Sequence, residues 1–298
     1  MKKILSLILI GLLLVPTLSF ARGQNDKPML GSQINWGHPL SKGLVGCWLM
    51  NERGGNVYKD LASGALGASV VNRPWLPTKL GIGSRNFQTT LSTYSAEYID
   101  SNNNKINTNS NGLGHTIIMT VYSSSLSQTN YQNQGWFAFQ GNYFYRGVLG
   151  MSNTGALNYI RYNAGAGTYA LRTTTNVIVA STVNMVAVTY DFKALGAGIR
   201  IYVNGKECSY ATTTDGSGSI QTLGDICFAT LNPDDGYGWL AGTIINSFAY
   251  TRILSPSEIQ QLYQDPYCFI QQQGEWWYKT GEITPSYVSP PPAVYLVN

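Results

Sequence analysis

The chain has 298 residues and a formal net charge of +4, and only 11% of its residues are Asp, Glu, Lys or Arg, against an average near 25%. So weak a charge excludes a nucleic-acid surface and gives no basis for attraction to anionic membranes. Its abundance of Gly, Asn, Ser, Thr and Tyr suits an extracellular β protein.

Residues 1–21 have three parts. Lys2 and Lys3 come first, residues 4–15 are apolar, and Pro16 precedes the small residues Ser19 and Ala21. This is the pattern of a secretory signal peptide cleaved after Ala21, and its apolar run falls short of the ~20 residues needed to span a bilayer. No Cys follows the run, so a lipoprotein is not expected. Residues 22–33 read as a polar lead-in, 34–270 as one folded domain, and 271–298, with Trp276-Trp277 and Pro290-Pro291-Pro292, as an extended tail.

Within the domain the main signal is alternation with a period of two, the mark of half-buried strands. A first strand is expected at 43–50. Ile117, Met119 and Val121 share one face of a second, and further strands are expected at 136–140 and 184–191. Ile199, Ile201 and Val203 lead into Asn204-Gly205, a pair that tolerates positive φ at both turn positions and so predicts a two-residue type I′ hairpin. Strands at 225–230 and 241–252 follow. Ser255, Pro256 and Glu258 then spell a capping box at the start of a helix, with Leu254 placed to staple onto Ile259. Asp265-Pro266 ends it. These elements predict an all-β sandwich with one short C-terminal helix.

Cys47, Cys208, Cys227 and Cys268 contain no C-x-x-C pair, and His38 and His115 are the only histidines, so a zinc site is not expected. The four thiols either pair, with three possible connectivities, or serve as small buried hydrophobes. Both histidines read as structural.

Several blocks in this order resemble the laminin-G-like domains of the concanavalin A-like lectin/glucanase superfamily, across roughly residues 35 to 270. Gly43-Leu44-Val45-Gly46-Cys47-Trp48-Leu49-Met50-Asn51-Glu52 is similar to the opening strand with its Asn-Glu-x-Gly turn, and Asp60-Leu61-Ala62-Ser63-Gly64 to the loop after it. Met185 to Asp191 followed by Ile201-Tyr202-Val203-Asn204-Gly205-Lys206 resembles the family hairpin. Gly242-Thr243-Ile244-Ile245 through Tyr250-Thr251-Arg252-Ile253-Leu254-Ser255 and Glu258-Ile259 resembles the closing block. The opening Ile34-Asn35-Trp36-Gly37-His38-Pro39-Leu40 looks like variants from bacteriophage and environmental bacteria. The resemblance implies a jelly-roll sandwich of two antiparallel sheets, a fold that hosts lectins, adhesion modules, glycosidases and virion surface proteins. It also implies neighbouring chain ends, and so a Cys47–Cys268 bridge. The predicted strand positions suggest Cys208–Cys227 as the other pair.

The glucanases of this superfamily carry Glu-x-Asp-x-x-Glu on one strand, where period-two spacing aims carboxylates into one cleft. The motif is absent here, so no enzyme activity is expected. Calcium is the more plausible ion. Oxygen-bearing side chains alternate at Asp100, Asn102 and Asn104, and Asp60, Asp234 and Asp235 sit in Gly-rich loops, although such residues also build ordinary turns. Trp136, Tyr143, Tyr145, Tyr237 and Trp239, with Asn232, lie beside Gly, Asn and Asp loops, where flat rings stack on sugar faces and amides bond hydroxyls. The reading is an exported carbohydrate-binding or adhesion module, secreted or on the cell surface, that binds a glycan or glycosylated surface. The alternative is a structural module of a virion or cell envelope with no small ligand.

Overall fold

The computed structural model describes residues 27–52, 57–69, 75–78, 81–86, 99–100, 114–126, 133–139, 147–162, 169–217, 226–228 and 240–271. The strands in chain order are β1 (Gln33–Ile34), β2 (Leu44–Trp48), β3 (Val57–Lys59), β4 (Leu66–Ser69), β5 (Trp75–Thr78), β6 (Gly81–Asn86), β7 (Ile99–Asp100), β8 (His115–Ser123), β9 (Asn133–Phe139) and β10 (Gly147–Ser152). They continue with β11 (Ala156–Tyr162), β12 (Tyr169–Asn176), β13 (Thr182–Tyr190), β14 (Ile199–Val203), β15 (Lys206–Glu207), β16 (Tyr210–Thr214), β17 (Ile226–Phe228) and β18 (Gly242–Tyr250). Helix α1 (Pro256–Gln264) and β19 (Ile270–Gln271) close the described chain.

Among the described residues, one sheet runs β16-β12-β11-β10-β9-β17-β7-β4-β3, and the other runs β15-β14-β13-β8-β18-β6-β5 with β2 also paired to β18. All the pairings are antiparallel. This is the two-sheet jelly-roll sandwich with one helix. Between the sheets lies a core that includes Ile117, Met119 and Val121 of β8, Phe137 and Phe139 of β9, Val186 and Val188 of β13, and Ile199 and Ile201 of β14. Trp48 of β2 meets Phe228 of β17 edge to face at 4.9 Å, a contact between the sheets worth about 0.5 to 1.5 kcal/mol beyond its burial.

The outer face of the β8–β13–β18 sheet is also apolar, and a third layer covers it. Ile118, Met185, Ala187, Phe248 and Tyr250 point there and pack against Ile34, Leu40, Leu254, Ile259, Leu262 and Phe269. Both faces of β8 and β18 are therefore buried, as their patterns along the strand show. The β1–β19 ladder pairs Ile34 with Ile270 and ties the two ends of the described chain together over this layer.

Local signals fix the hairpin and the helix. Asn204 has φ 51 and Gly205 φ 80, the geometry that a type I′ turn demands. A Cβ on Gly205 would also lie 2.4 Å from Gln260 Oε1, so this glycine lets α1 close over the hairpin. At α1, the Ser255 hydroxyl accepts from the Glu258 amide and the Glu258 carboxylate accepts from the Ser255 amide, completing the capping box. Leu254 and Ile259 share the outer cluster, as a hydrophobic staple requires.

Arg252 fastens α1 to the sheet. It makes a bidentate pair with Glu258 at 3.0 and 2.7 Å and donates Nε to the Lys42 carbonyl at 2.6 Å. The Arg252 guanidinium, aided by the Ser255 amide, holds the Glu258 carboxyl below its usual range against the opposing effect of burial. A carboxyl depressed on folding contributes stability above its unfolded pKa and loses it as pH falls through the folded value. Glu258→Gln is therefore expected to cost about 1 kcal/mol at pH 7 and almost nothing below the folded pKa. Thermal melts of both proteins across pH 2 to 7 check this; a constant gap would contradict it.

None of the four cysteines forms a disulfide. Cys208 lies between β15 and β16 with its amide bonded to the Ile201 carbonyl of β14, whereas Cys227 is on β17 in the other sheet. The expected Cys208–Cys227 bridge is not formed. Cys47 and Cys268 do reach the same outer cluster, but as separate thiols rather than the expected bridge.

Candidate functional site

Strand direction sorts the candidate residues between the two ends of the sandwich. The chain leaves β7 after Asp100 and β9 after Phe139 at one end, because Cys227 of β17 pairs with Asp100 and Ile226 with Phe139. It leaves β17 after Phe228 at the other end. Tyr143, Tyr145, Asn102 and Asn104 lie outside the described residues, on segments that depart from the first end. Asn232, Asp234, Asp235, Tyr237 and Trp239 also lie outside them, on the segment that departs from the second.

At the second end, described segments from both sheets are joined into a closed ring by hydrogen bonds. Gln134 of β9 is fully buried and works as a clip between the sheets. Its Oε1 accepts from the Ala241 amide at 3.0 Å and its Nε2 donates to the Ser125 carbonyl at 2.7 Å. Ser124 donates both its amide and its hydroxyl to the Ala241 carbonyl. The Ser181 amide donates to Ser123, and the Val177 and Ile178 amides donate to the Gly155 carbonyl. Gly155 has φ +83, and a Cβ there would lie 2.2 Å from the Ile178 carbonyl oxygen, so only glycine closes this part of the ring. The β9–β10 pairing from Asn133 to Ser152 completes it.

The ring segments 123–126, 133–134, 152–155, 176–182 and 240–242 contain no Asp, Glu, Lys or Arg. Val179 stands 65% exposed among them. Leu240 is fully buried, so the residue immediately after Trp239 is anchored in the core and the next is held by Gln134. Chemically this end offers serine, threonine and asparagine groups on a rigid frame, suited to hydroxyl-rich ligands.

The first end has a different character. His115 is fully buried, with Nε2 2.9 Å from the Tyr159 hydroxyl and ring edges against Phe139, Tyr190 and Phe192. Burial, reinforced by the nearby Arg161 guanidinium, pulls its pKa down to about 3. It is a neutral core histidine and cannot serve as a base toward solvent. His38 accepts from the Leu40 amide through Nδ1 and caps a short 3-10 helix at Pro39–Ser41.

Two candidates within the described residues are corrected by their placement. Trp136 is fully buried in the inter-sheet core, and a ring with no exposed face cannot stack on a sugar. Asp60 is 1% exposed, and its carboxylate is already committed. Oδ1 accepts from the Cys47 and Ala62 amides at 2.7 and 2.9 Å, and Oδ2 accepts from the Ser63 hydroxyl at 2.6 Å. With three donors aimed at it, the group organises a turn. Asp100 lies on β7, whose backbone pairs with β4 and β17. Among the described residues no group of three or more His, Cys, Asp or Glu is placed to hold a metal ion.

A two-sheet sandwich with an extra helical layer, its end ring built from neutral polar residues, defines a β-sandwich module of the lectin-like type. The sequence profile of the laminin-G branch, described as the concanavalin A-like lectin/glucanases superfamily, matches residues 93–260. The chain belongs to that superfamily.

Two solved structures of similar fold are the Trypanosoma rangeli sialidase in complex with sialic acid and the binding domain of botulinum neurotoxin DC in complex with rat synaptotagmin II. The sialidase is 15% identical with a TM-score of 0.51, over 76% of this chain and 34% of its own. The toxin domain is 13% identical with a TM-score of 0.56, over 74% of this chain and 51% of its own. The chain thus spans about a third of the one and half of the other, and likeness at these identities establishes the fold alone. No curated protein matches the sequence.

Proposed function

We propose that the chain is an exported, non-catalytic carbohydrate-binding or adhesion module, and that it binds a neutral glycan at the end framed by Gln134. The observation that carries this reading is the closed ring of uncharged segments, which anchors Leu240 and Ala241 directly after Trp239. With no ionised group on that frame, attraction to a ligand rests on stacking and hydroxyl hydrogen bonds. Calcium enters the proposal only through Asp234 and Asp235, on the same segment as Trp239. The lectin-like family and the sialidase among the fold neighbours support a sugar ligand.

A non-catalytic role is supported by what most of the described carboxylates already do, Glu52 with its unpartnered Oε2 being the exception. Glu207 accepts from Arg200 and Tyr210, Asp191 from the Lys193 amide, Asp215 from the Gly196 amide and Asp265 from the Tyr267 amide. Each one serves a turn, a cap or a strand edge.

Replacing Trp239 with Ala is expected to weaken glycan binding by about 1 to 3 kcal/mol, the range for an aromatic ring stacked on a flat ligand, while the melting temperature stays unchanged. A stability loss of about 3 to 5 kcal/mol would instead place the ring in the core and contradict the reading. Export is part of the same proposal. Protein recovered outside the cytosol should have an intact mass that starts at Arg22, and retention of Met1 would contradict it.

A further inference from the structure

The first described residues lie against the turn that follows β2, and two side chains make that contact in opposite directions. Lys27 Nζ donates to the Met50 carbonyl at 3.1 Å, and Asn51 Nδ2 donates to the Pro28 carbonyl at 2.7 Å. The amine therefore sits at the carbonyl just before Asn51, and the carboxamide reaches the residue just after Lys27. Covalent geometry keeps the Asn51 carboxamide carbon within about 5 Å of the oxygen that Lys27 already touches. Asn51 is 7% exposed, so its carboxamide lies away from bulk water.

Glu52 completes the group. Its Oε1 accepts from the Lys59 amide at 2.8 Å. Its Oε2 is buried and has no hydrogen-bond partner among the described residues. Burial pulls the Lys27 amine down to about 7, with the Glu52 charge opposing it. Burial also pushes the Glu52 carboxyl up, against the backbone amides and Lys27. The first shift leaves part of the amine neutral near pH 7, the state in which a lysine can attack an amide.

We propose that Lys27 and Asn51 form an intramolecular isopeptide bond. Nζ attacks the Asn51 carboxamide carbon, the bond from that carbon to Nδ2 breaks, and ammonia departs. The Glu52 carboxyl passes a proton to the leaving nitrogen and recovers one from the attacking amine, so the acid is regenerated. No oxidant or cofactor is consumed. The product joins the arm before β1 to the end of β2 by an amide, so a covalent bond takes the place of two hydrogen bonds. This inference stands independently of whether the module binds a glycan.

Intact and tandem mass spectrometry of the full purified chain after incubation at neutral pH tests it. The wild type is expected to weigh less than its sequence by one ammonia, with the loss mapped to a cross-linked peptide that contains both Lys27 and Asn51. Lys27→Arg and Asn51→Ala should each carry no such loss, and Glu52→Gln should show it greatly slowed. A wild-type mass equal to the sequence mass would overturn the proposal, even if every variant failed to fold. Loss of ammonia that persists in Lys27→Arg would also overturn it, since Asn51 would then be cyclising onto its own backbone.

Discussion

Replacing Trp136 with Ala is expected to destabilise the fold by about 3 to 5 kcal/mol, as truncating a buried Trp does. The side chain is fully buried in the same cluster as Phe137, Leu149, Met151 and the other inter-sheet residues. Its Nε1 has no hydrogen-bond partner among the described residues, so Trp136→Phe forfeits volume but no hydrogen bond and should cost much less, about 1 to 2 kcal/mol. Urea unfolding of the two variants checks the pair. Equal losses would mean that the indole N–H has a partner, and no loss in either would mean that the ring is exposed.

Asp60→Ala should be nearly as damaging, at about 3 to 5 kcal/mol. It strands the buried Cys47 amide, at about 1 to 3 kcal/mol, and takes the acceptor from the part-buried Ala62 amide and Ser63 hydroxyl as well. The turn from Asp60 to Ala65 would loosen with it, because the Asp60 amide donates to Ala65 and the Gly64 amide donates to the Asp60 carbonyl. Asp60→Asn keeps one acceptor oxygen and should lose less, about 1 to 2 kcal/mol. Thermal melts with and without added calcium separate this account from a metal site. The loss should be the same in both conditions, and a wild-type protein whose calcium stabilisation disappears in Asp60→Ala would restore Asp60 as a ligand.

The sequence made the local elements legible because their determinants lie within a few residues of one another. Alternation located β8, β13 and β14, the Asn204-Gly205 pair set the hairpin, and the Ser255–Glu258 spacing set the start of α1. Edges were less exact. The strand expected at 136–140 starts earlier, at Asn133, and the one expected at 241–252 stops at Tyr250, where Thr251 and Arg252 turn away to bond Gly43 and Lys42.

What was not legible depends on pairing between distant segments. Gln134 carries no mark of its role, since an amide reads alike in a loop and in a buried clip between sheets. Asp60 was ambiguous because calcium loops and hydrogen-bonded turns use the same residue types, and only the three donors around it decide between them. Trp136 sits beside Gly135, which looked like the edge of a loop, but β9 runs through it. Cys208 and Cys227 seemed to lie on successive strands, yet the chain crosses between the sheets after β15 and Cys227 lies in the other sheet. The two ends of the sandwich also could not be told apart until strand direction was known, so aromatics from both were grouped as one candidate set.

The measurement that tests the central claim most directly is binding of the mature chain to a panel of neutral, sialylated and sulfated oligosaccharides at low and high salt. Binding through the ring around Gln134 predicts that neutral oligosaccharides are retained and that raised salt changes their affinity little, because no ion pair holds them. Binding confined to the acidic sugars and abolished by salt, or no binding to any of them, would contradict it.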